Sequence, residues 1–369
     1  MKVLKKLICA AMAFALLVCL MACGGKTEGN PAEVNGVKIP EGVQGSKKIA
    51  VIKNLGHDEH AAQILAGAIQ EGESLGFKVD TFVTGDDAEF ADRFEEILLQ
   101  DYDGIFYTHG QDNIVELVKK AHAKGIPTVG FDSPLTPIEL DNVSKTAQDD
   151  EDMARRSLQA LVDAFPGKKP RVIKMLVNGF PAQENRDVVW KEFAQKGLIE
   201  EVTNIAEVGD WTNVAGLNAN AIGGALSNNP VGTIDAVWAA WDSFATGAHI
   251  GLKENNRQEI QIFSVDVANA DLQNMQEKNS SWVMTAAADA KAVGVINIRM
   301  LAKMMAGETV VKEYQLPVTS VYQKDLLAHG GDITVETLGQ VYSTYGQSDD
   351  FLTDWMQALK TYTQAAKQK

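Results

Sequence analysis

The chain has 369 residues, 45% hydrophobic and 22% charged, which is the composition of a folded globular protein and not of a disordered or multi-span membrane one. That length exceeds one ordinary hydrophobic core, so two domains are expected. A formal net charge of −15 excludes the basic footprint of a nucleic-acid binder and otherwise speaks for solubility.

Lys2, Lys5 and Lys6 precede an apolar run over 7–21, the pattern of a processing signal too short to make a comfortable spanning helix. The run closes on Leu20-Met21-Ala22-Cys23, which resembles a bacterial lipobox, in which the cysteine thiol is acylated and the signal is cut just before it. An ordinary signal peptide with an incidental cysteine is the alternative reading. Cys9 and Cys19 fall inside the signal, so the mature body is expected to hold no disulfide, cysteine metal site or cysteine nucleophile. Residues 1–22 read as the signal. Residues 23–45, rich in Gly, Pro and small polar residues, read as a flexible tether.

From residue 47 strands and helices alternate. Apolar strand runs at 49–52, 78–83, 104–107 and 126–131 are separated by helical i, i+3/i+4 patterns at 59–75, 88–99 and 114–123. The second half repeats the rhythm, with helices expected over 149–165, 185–196, 213–227, 244–252 and 290–305. Its strands are expected at 171–177, 202–208, 235–240, 260–265 and 282–285. Such alternation implies parallel sheets covered on both faces, with right-handed crossovers. Residues 335–369 read as an additional helical extension.

The chemistry starts with what is missing. Asn54-Leu55-Gly56-His57-Asp58-Glu59-His60 follows the first long strand where a dinucleotide or P-loop phosphate site would need its glycines, and no G-x-S-x-G elbow occurs. His57 and His60 share a helix face but lack the H-E-x-x-H spacing and a third ligand. A ligand-contacting loop or a polar first helical turn are the competing readings. Polar and aromatic residues instead recur directly after the strands: His57/Asp58, His109, Asp132/Ser133, the stretch 178–186 ending at Arg186, Trp211, Trp241/Asp242, Asp266 and Asp289. Each alone could be a helix cap or turn residue. Together they project to one edge of a parallel sheet, where open α/β folds bind ligands. Carboxylates accept from neighbouring hydroxyls, Arg186 offers a planar donor fork, and Trp211 and Trp241 offer flat faces to a sugar ring. The same acidic, aromatic set could hold a cation or a nitrogenous ring.

With these residues in view, residues 46–320 resemble the sugar-binding solute receptors of ABC transporters, the type I periplasmic-binding-protein group that includes the ribose and galactose receptors. Lys48 to Gly67 is similar to the family's first strand and helix, and Gly125 to Ser133 to its "IPV…D" strand. Asp210-Trp211 through Gly216-Leu217-Asn218 to Pro230 is similar to its "DF…GL…HP" segment. Ala240 to Gly247 and Ser264-Val265-Asp266 are similar to "ND…G" and "GFD". Carried over by position, the resemblance implies ligand contacts at Asp58, His60, Asp132, Arg186, Trp211, Trp241, Asp242 and Asp266. His60-Ala61, Ser133, Trp241 and Ala288 stand where the ribose-type pattern has other residues, which sets the chain apart from a ribose receptor in the strict sense.

The resemblance implies an α/β fold of two doubly wound parallel-sheet lobes joined by a hinge of three crossovers, near residues 146, 288 and 317. The N-terminal lobe would be 46–146 plus 289–316, and the C-terminal lobe 147–288 plus 317–334. It further implies a monomeric, lipid-anchored extracytoplasmic binding protein, without enzymatic activity, cofactor or metal. Its partners would be a sugar or polyol and an ABC permease with a separate ATPase. A sensor feeding a chemoreceptor or histidine kinase, and a receptor for a nucleoside or polyamine, remain the alternatives.

Overall fold

A computed structural model describes residues 29–54, 59–110, 113–135, 139–210, 212–346 and 348–368. Two six-stranded sheets organise it. The first contains β3 (Lys47–Asn54), β4 (Phe77–Thr84), β5 (Gly104–Thr108), β6 (Thr128–Phe131), β7 (Val143–Gln148) and a late strand, β13 (Glu313–Leu316). Its order is β13-β7-β6-β5-β3-β4, and every neighbouring pair is parallel. The second contains β8 (Arg171–Met175), β9 (Glu200–Asn204), β10 (Ala236–Ala239), β11 (Gln261–Val265), β12 (Trp282–Ala288) and β14 (Val318–Tyr322). Its order is β14-β12-β11-β10-β8-β9, parallel except for the edge strand β14, which runs antiparallel to β12.

Strands such as β5, β6 and β10 are buried at every position, as a sheet covered on both faces requires. The first sheet is packed by α1 (Glu59–Ser74) and α9 (Ala290–Met305) on one face and by α2 (Asp87–Leu98) and α3 (Ile114–Ala123) on the other. The second is packed by α4 (Asp150–Ala164) and α5 (Pro181–Gln195) on one face. Its other face carries α6 (Val214–Ser227), α7 (Asp242–Glu254), α8 (Asn269–Gln276) and α10 (Gln323–His329). Helices α1 and α9 touch almost backbone to backbone. A Cβ on Gly67 would stand 2.1 Å from the Lys291 carbonyl oxygen, and one on Gly294 2.2 Å from that of Ile64.

The chain passes from the first sheet to the second after Gln148, returns after Ala288, and crosses again at Pro317 between β13 and β14. A further passage follows. Ile333, Val335, Leu338 and Tyr345 belong to the core of the second lobe, whereas Trp355, Met356 and Leu359 of α11 (Asp354–Lys367) belong to the core of the first. The Gly346 N–H donates to the Asp289 carboxylate where these two passages meet. Arg299 then donates to the Ser348 and Asp350 carbonyls at 2.6 and 3.1 Å.

Two expectations are corrected. Residues 29–45 are not a tether. They form a hairpin of β1 (Glu33–Val34) and β2 (Val37–Lys38), and Val34, Ile39 and Val43 enter the core. The buried Asn30 amide donates to the Val43 and Leu75 carbonyls at 3.1 and 2.8 Å. The turn is Asn35-Gly36, both at positive φ, the pair a tight two-residue hairpin needs. Among the described residues, the C-terminal extension is helical only in α11 and a single 3₁₀ turn over Leu338–Gln340. Between them the Gly346 N–H and the Ser348 and Asp350 carbonyls are held by the side chains of Asp289 and Arg299.

Candidate functional site

The strand ends of both sheets face one another between the lobes, and three residues there share an uncommon backbone. His109, Asp132 and Asp266 follow β5, β6 and β11 with φ of 60°, 45° and 72°. Their N–H groups still donate to the neighbouring strand, to the carbonyls of Phe131 (2.7 Å), Thr146 (3.0 Å) and Ala286 (2.9 Å). Non-glycine residues in this region are uncommon, with Asp, Asn and His enriched, and they concentrate at functional sites.

Asp132, on the first lobe, is half-buried. Its Oδ1 accepts from the Gln148 N–H at 3.0 Å and its Oδ2 from the Gln148 side-chain amide at 3.1 Å. Burial pushes its carboxyl up to about 6, against the Gln148 backbone bond and with help from the charge of Asp150. Asp150 opens α4 just beyond the first crossing, so the influence of one on the other spans the two lobes.

On the second lobe Arg186 is buried within α5. Its Nε donates to Asp150 Oδ1 at 3.0 Å and its Nη2 lies 2.9 Å from the same oxygen. Nη1 donates to the Ala240 carbonyl at 2.6 Å and to Asp266 Oδ2 at 2.9 Å, and Nη2 to Asp266 Oδ1 at 3.3 Å. Burial raises the Asp150 carboxyl, opposed by Arg186 and reinforced by Asp266.

Asp242 opens α7, where its Oδ1 accepts from the Ser243 N–H at 2.6 Å. Its carboxyl is pushed well up by burial and by the carboxyl groups of Asp271 and Asp266. Asp271, in the first turn of α8, accepts from Thr246 Oγ1 at 2.8 Å and from the Ala268 N–H at 2.7 Å. Burial lifts it to about 6, and it hydrogen-bonds Asp242, so a shared proton is the arrangement two touching buried acids favour. Trp241 is half-buried beside them, its ring meeting Phe244 edge-on at 5.3 Å between centroids.

Of the residues expected from sequence, Asp132, Arg186, Asp242 and Asp266 thus form one electrostatically connected group, with Trp241 adjoining Asp242 in the chain. His60 is half-buried in the first turn of α1 on the first lobe. Asp58, Trp211 and Cys23 lie outside the described residues, as does His57. Asp289 is a helix cap, its Oδ1 accepting from the Lys291 and Ala292 N–H groups. Sequence reasoning passed over Asp150, Asp271 and Gln148. The first two sit in first helical turns, where Asp reads as a cap, and Gln148 ends a strand that was not foreseen. Among the described residues no group of three His, Cys, Asp or Glu is placed to hold a metal ion, and no helix is long and apolar enough to cross a membrane.

Rims of the two lobes also touch. Glu59 of α1 accepts from the Asn269 N–H of α8 at 2.9 Å and from its side-chain amide. Asn269 Oδ1 in turn accepts from the Val335 N–H at 2.7 Å, and Gln63 donates to Glu336 at 2.6 Å.

Residues 49–309 match the family described as periplasmic binding protein domain. No curated protein matches the chain. Among solved structures, a sugar ABC transporter from Yersinia enterocolitica subsp. enterocolitica is 39% identical, with a TM-score of 0.78 over 89% of this chain and 99% of that one. The 5-methylthioribose transporter solute binding protein from Thermotoga lettingae, in complex with 5-methylthioribose, is 27% identical, with a TM-score of 0.75 over 85% of this chain and 98% of that one. An ABC transporter solute binding protein from Agrobacterium vitis, 19% identical with a TM-score of 0.63 over 77% and 98% of the two chains, shares the fold. These relatives are solute-binding components of transporters and not enzymes, and the two-lobed sheets with their strand ends facing one another are the type I arrangement. The chain belongs to the periplasmic-binding-protein family.

Proposed function

We propose that this protein captures a small polyhydroxylated solute, a sugar or polyol, in the crevice between its lobes and delivers it to an ABC permease driven by a separate ATPase. The observation that carries the reading is the polar set meeting across the crevice: Asp132 from the first lobe, with Asp150, Arg186 and Asp266 from the second. Closely spaced carboxylates accept hydroxyl donors, and they come from two bodies whose separation a hinge can change. The 5-methylthioribose held by the Thermotoga lettingae relative is a hydroxylated ligand of this kind. The proposed contacts are Asp58, His60, Asp132, Trp211, Trp241, Asp242 and Asp266, and Arg186 is taken up below. Attachment to the outer face of a bacterial membrane through acylated Cys23 completes the proposal, on the strength of the sequence Leu20-Met21-Ala22-Cys23. Wild-type protein should label with radiolabelled palmitate, and a Cys23→Ala variant that still labels would sink the anchor.

The test of the ligand class is a thermal-shift panel of pentoses, hexoses, polyols, nucleosides and polyamines on protein starting after Cys23. A ligand at a thousand times its dissociation constant adds about 4 kcal/mol of stability. A melt moved by polyamines or nucleosides and by no sugar or polyol would replace the sugar reading with a nitrogenous ligand. The excess of carboxyl groups over the single guanidinium in the described cluster is what favours that second reading.

A further inference from the structure

We infer that Arg186 is a positioning residue and not a ligand contact, and that Asp150, beside it, is a ligand contact in its place. The inference rests on the crevice reading above and fixes which groups of that crevice a ligand meets. A guanidinium has five N–H donors. Arg186 directs its three nitrogens into five contacts with protein oxygens, at 2.6–3.3 Å: two with Asp150, two with Asp266 and one with the Ala240 carbonyl. Four of the five N–H groups are thereby committed to hydrogen bonds, and the fifth, on Nη2, lies in the 2.9 Å ion-pair contact with Asp150. Exposure agrees, since 3% of the Arg186 side chain is accessible against 12% for Asp150 and 18% for Asp266. The guanidinium stands behind, and the carboxylates stand in front.

Acceptor capacity runs the other way. A carboxylate has about four lone-pair sites. Asp150 Oδ1 takes one from Arg186 Nε and lies in ion-pair contact with Nη2, and its Oδ2 takes one N–H from Asn185 at 3.3 Å. Each Asp266 oxygen takes one from Arg186, and each Asp132 oxygen takes one from Gln148. Every one of these three carboxylates therefore keeps acceptor capacity that only a ligand or water can fill. A molecule bringing hydroxyl hydrogens completes them. One bringing a carboxylate or phosphate next to Asp132, Asp150 and Asp266 finds like charge and an occupied guanidinium. The role of Arg186 is to hold Asp150 and Asp266 in fixed orientation and to favour the ionised form of Asp150 against burial and the charge of Asp266.

The test compares wild type with Arg186→Met, Arg186→Lys and Asp150→Asn by calorimetric titration at pH 5.5 to 8.5. The probe is whichever of D-ribose, D-allose and 5-methylthioribose shifts the wild-type melt most. The groups facing Asp150 are Arg186 of α5, Asp266 after β11 and Asp132 after β6, and all but Arg186 are present in each Arg186 variant. Arg186→Met should bind within about tenfold of wild type at pH 8.5 and lose affinity on acidification with a midpoint about one pH unit higher, as Asp150 takes up a proton. Arg186→Lys, which keeps the charge, should return the midpoint most of the way to that of wild type. Asp150→Asn should weaken binding about 10–100-fold at pH 8.5, the loss expected for a charged hydrogen bond. Carbon-13 NMR titration of the aspartate carboxyls in ligand-free Arg186→Met should show the same upward move.

A uniform loss above a hundredfold in Arg186→Met with an unmoved midpoint would make Arg186 a direct contact and overturn the inference. Wild-type affinity in Asp150→Asn would remove Asp150 from the site. D-ribose 5-phosphate binding more tightly than D-ribose would overturn the inference while leaving the sugar-receptor reading intact. If none of the three sugars binds, the sugar or polyol of the panel that does bind becomes the probe; if no sugar or polyol binds, the sugar reading and the Asp150 contact fail together, and the NMR arm alone decides the part played by Arg186.

Discussion

Asp132 holds Gln148 twice, through the backbone N–H at 3.0 Å and the side-chain amide at 3.1 Å, at the last strand residue before the chain enters the second lobe. One carboxylate therefore anchors the first crossing and faces the crevice. Its acidity links the two. Burial raises the folded-state value to about 6, above the ~3.9 of an unfolded Asp. The folded protein then binds more protons than the unfolded one between about pH 4 and 6, so this group's contribution is fully present below pH 4 and is lost as pH rises through 6. Asp132→Asn should gain on wild type by on the order of 2 kcal/mol between pH 4 and pH 7 in urea unfolding of the ligand-free protein. A parallel pH dependence for the two proteins would refute this.

The Asp242–Asp271 pair gives a second pH effect with the same sign. Both carboxyls are raised, Asp271 to about 6, so ionising the pair weighs on the folded state at alkaline pH. Asp242→Asn replaces one acid by a neutral group of the same shape. Its melting temperature relative to wild type should be higher at pH 8 than at pH 5, and equal differences at the two pH values would show that the acids do not share a proton.

Within the first lobe, Glu71 and Arg299 are both buried and joined at 2.6 Å, and Lys360 of α11 reaches the other Glu71 oxygen at 2.8 Å. Removing one member of such a group strands a charge away from water. Arg299→Met should cost about 3–5 kcal/mol of unfolding free energy, and Glu71→Leu added to it should restore much of the loss. A single-variant cost below about 1 kcal/mol would show that solvent reaches the pair.

Gly67 and Gly294 set the distance between α1 and α9. Because a methyl group at either would run into a carbonyl oxygen of the other helix, Gly294→Ala should destabilise by about 1–3 kcal/mol despite the higher helix propensity of Ala. A stabilised Gly294→Ala protein, read by thermal melting, would contradict the close approach.

The α/β alternation was legible because buried parallel strands are continuous apolar runs and their helices carry a 3.6-residue period. Ile49 to Ile52 and Phe90, Phe94 and Ile97 show both. The N-terminal hairpin was hidden in a Gly- and Pro-rich segment, although Val34-Asn35-Gly36-Val37 carries the turn signal. Strands β7, β13 and β14 were missed because their polar and half-buried residues break the apolar run. At the site, residues that end strands stood out, since Asp132 and Asp266 interrupt apolar stretches. Asp150 and Asp271 did not, since a first-turn acid is what any helix favours. The engagement of every Arg186 nitrogen by protein oxygens is a tertiary fact that no spacing encodes.

The last passage of the chain determines which lobe serves as the frame of reference. The β1–β2 hairpin and α11 pack against each other on the first lobe, so residues 29 and 368 belong to the same body. Fluorophores at those two positions would ride together and stay silent through any closure, whereas one moved to the second lobe, at exposed Val231 for example, would report it. With the proposed attachment at Cys23, the first lobe would be the stator, and the second lobe, tethered on both sides of its sequence, would be the part that swings.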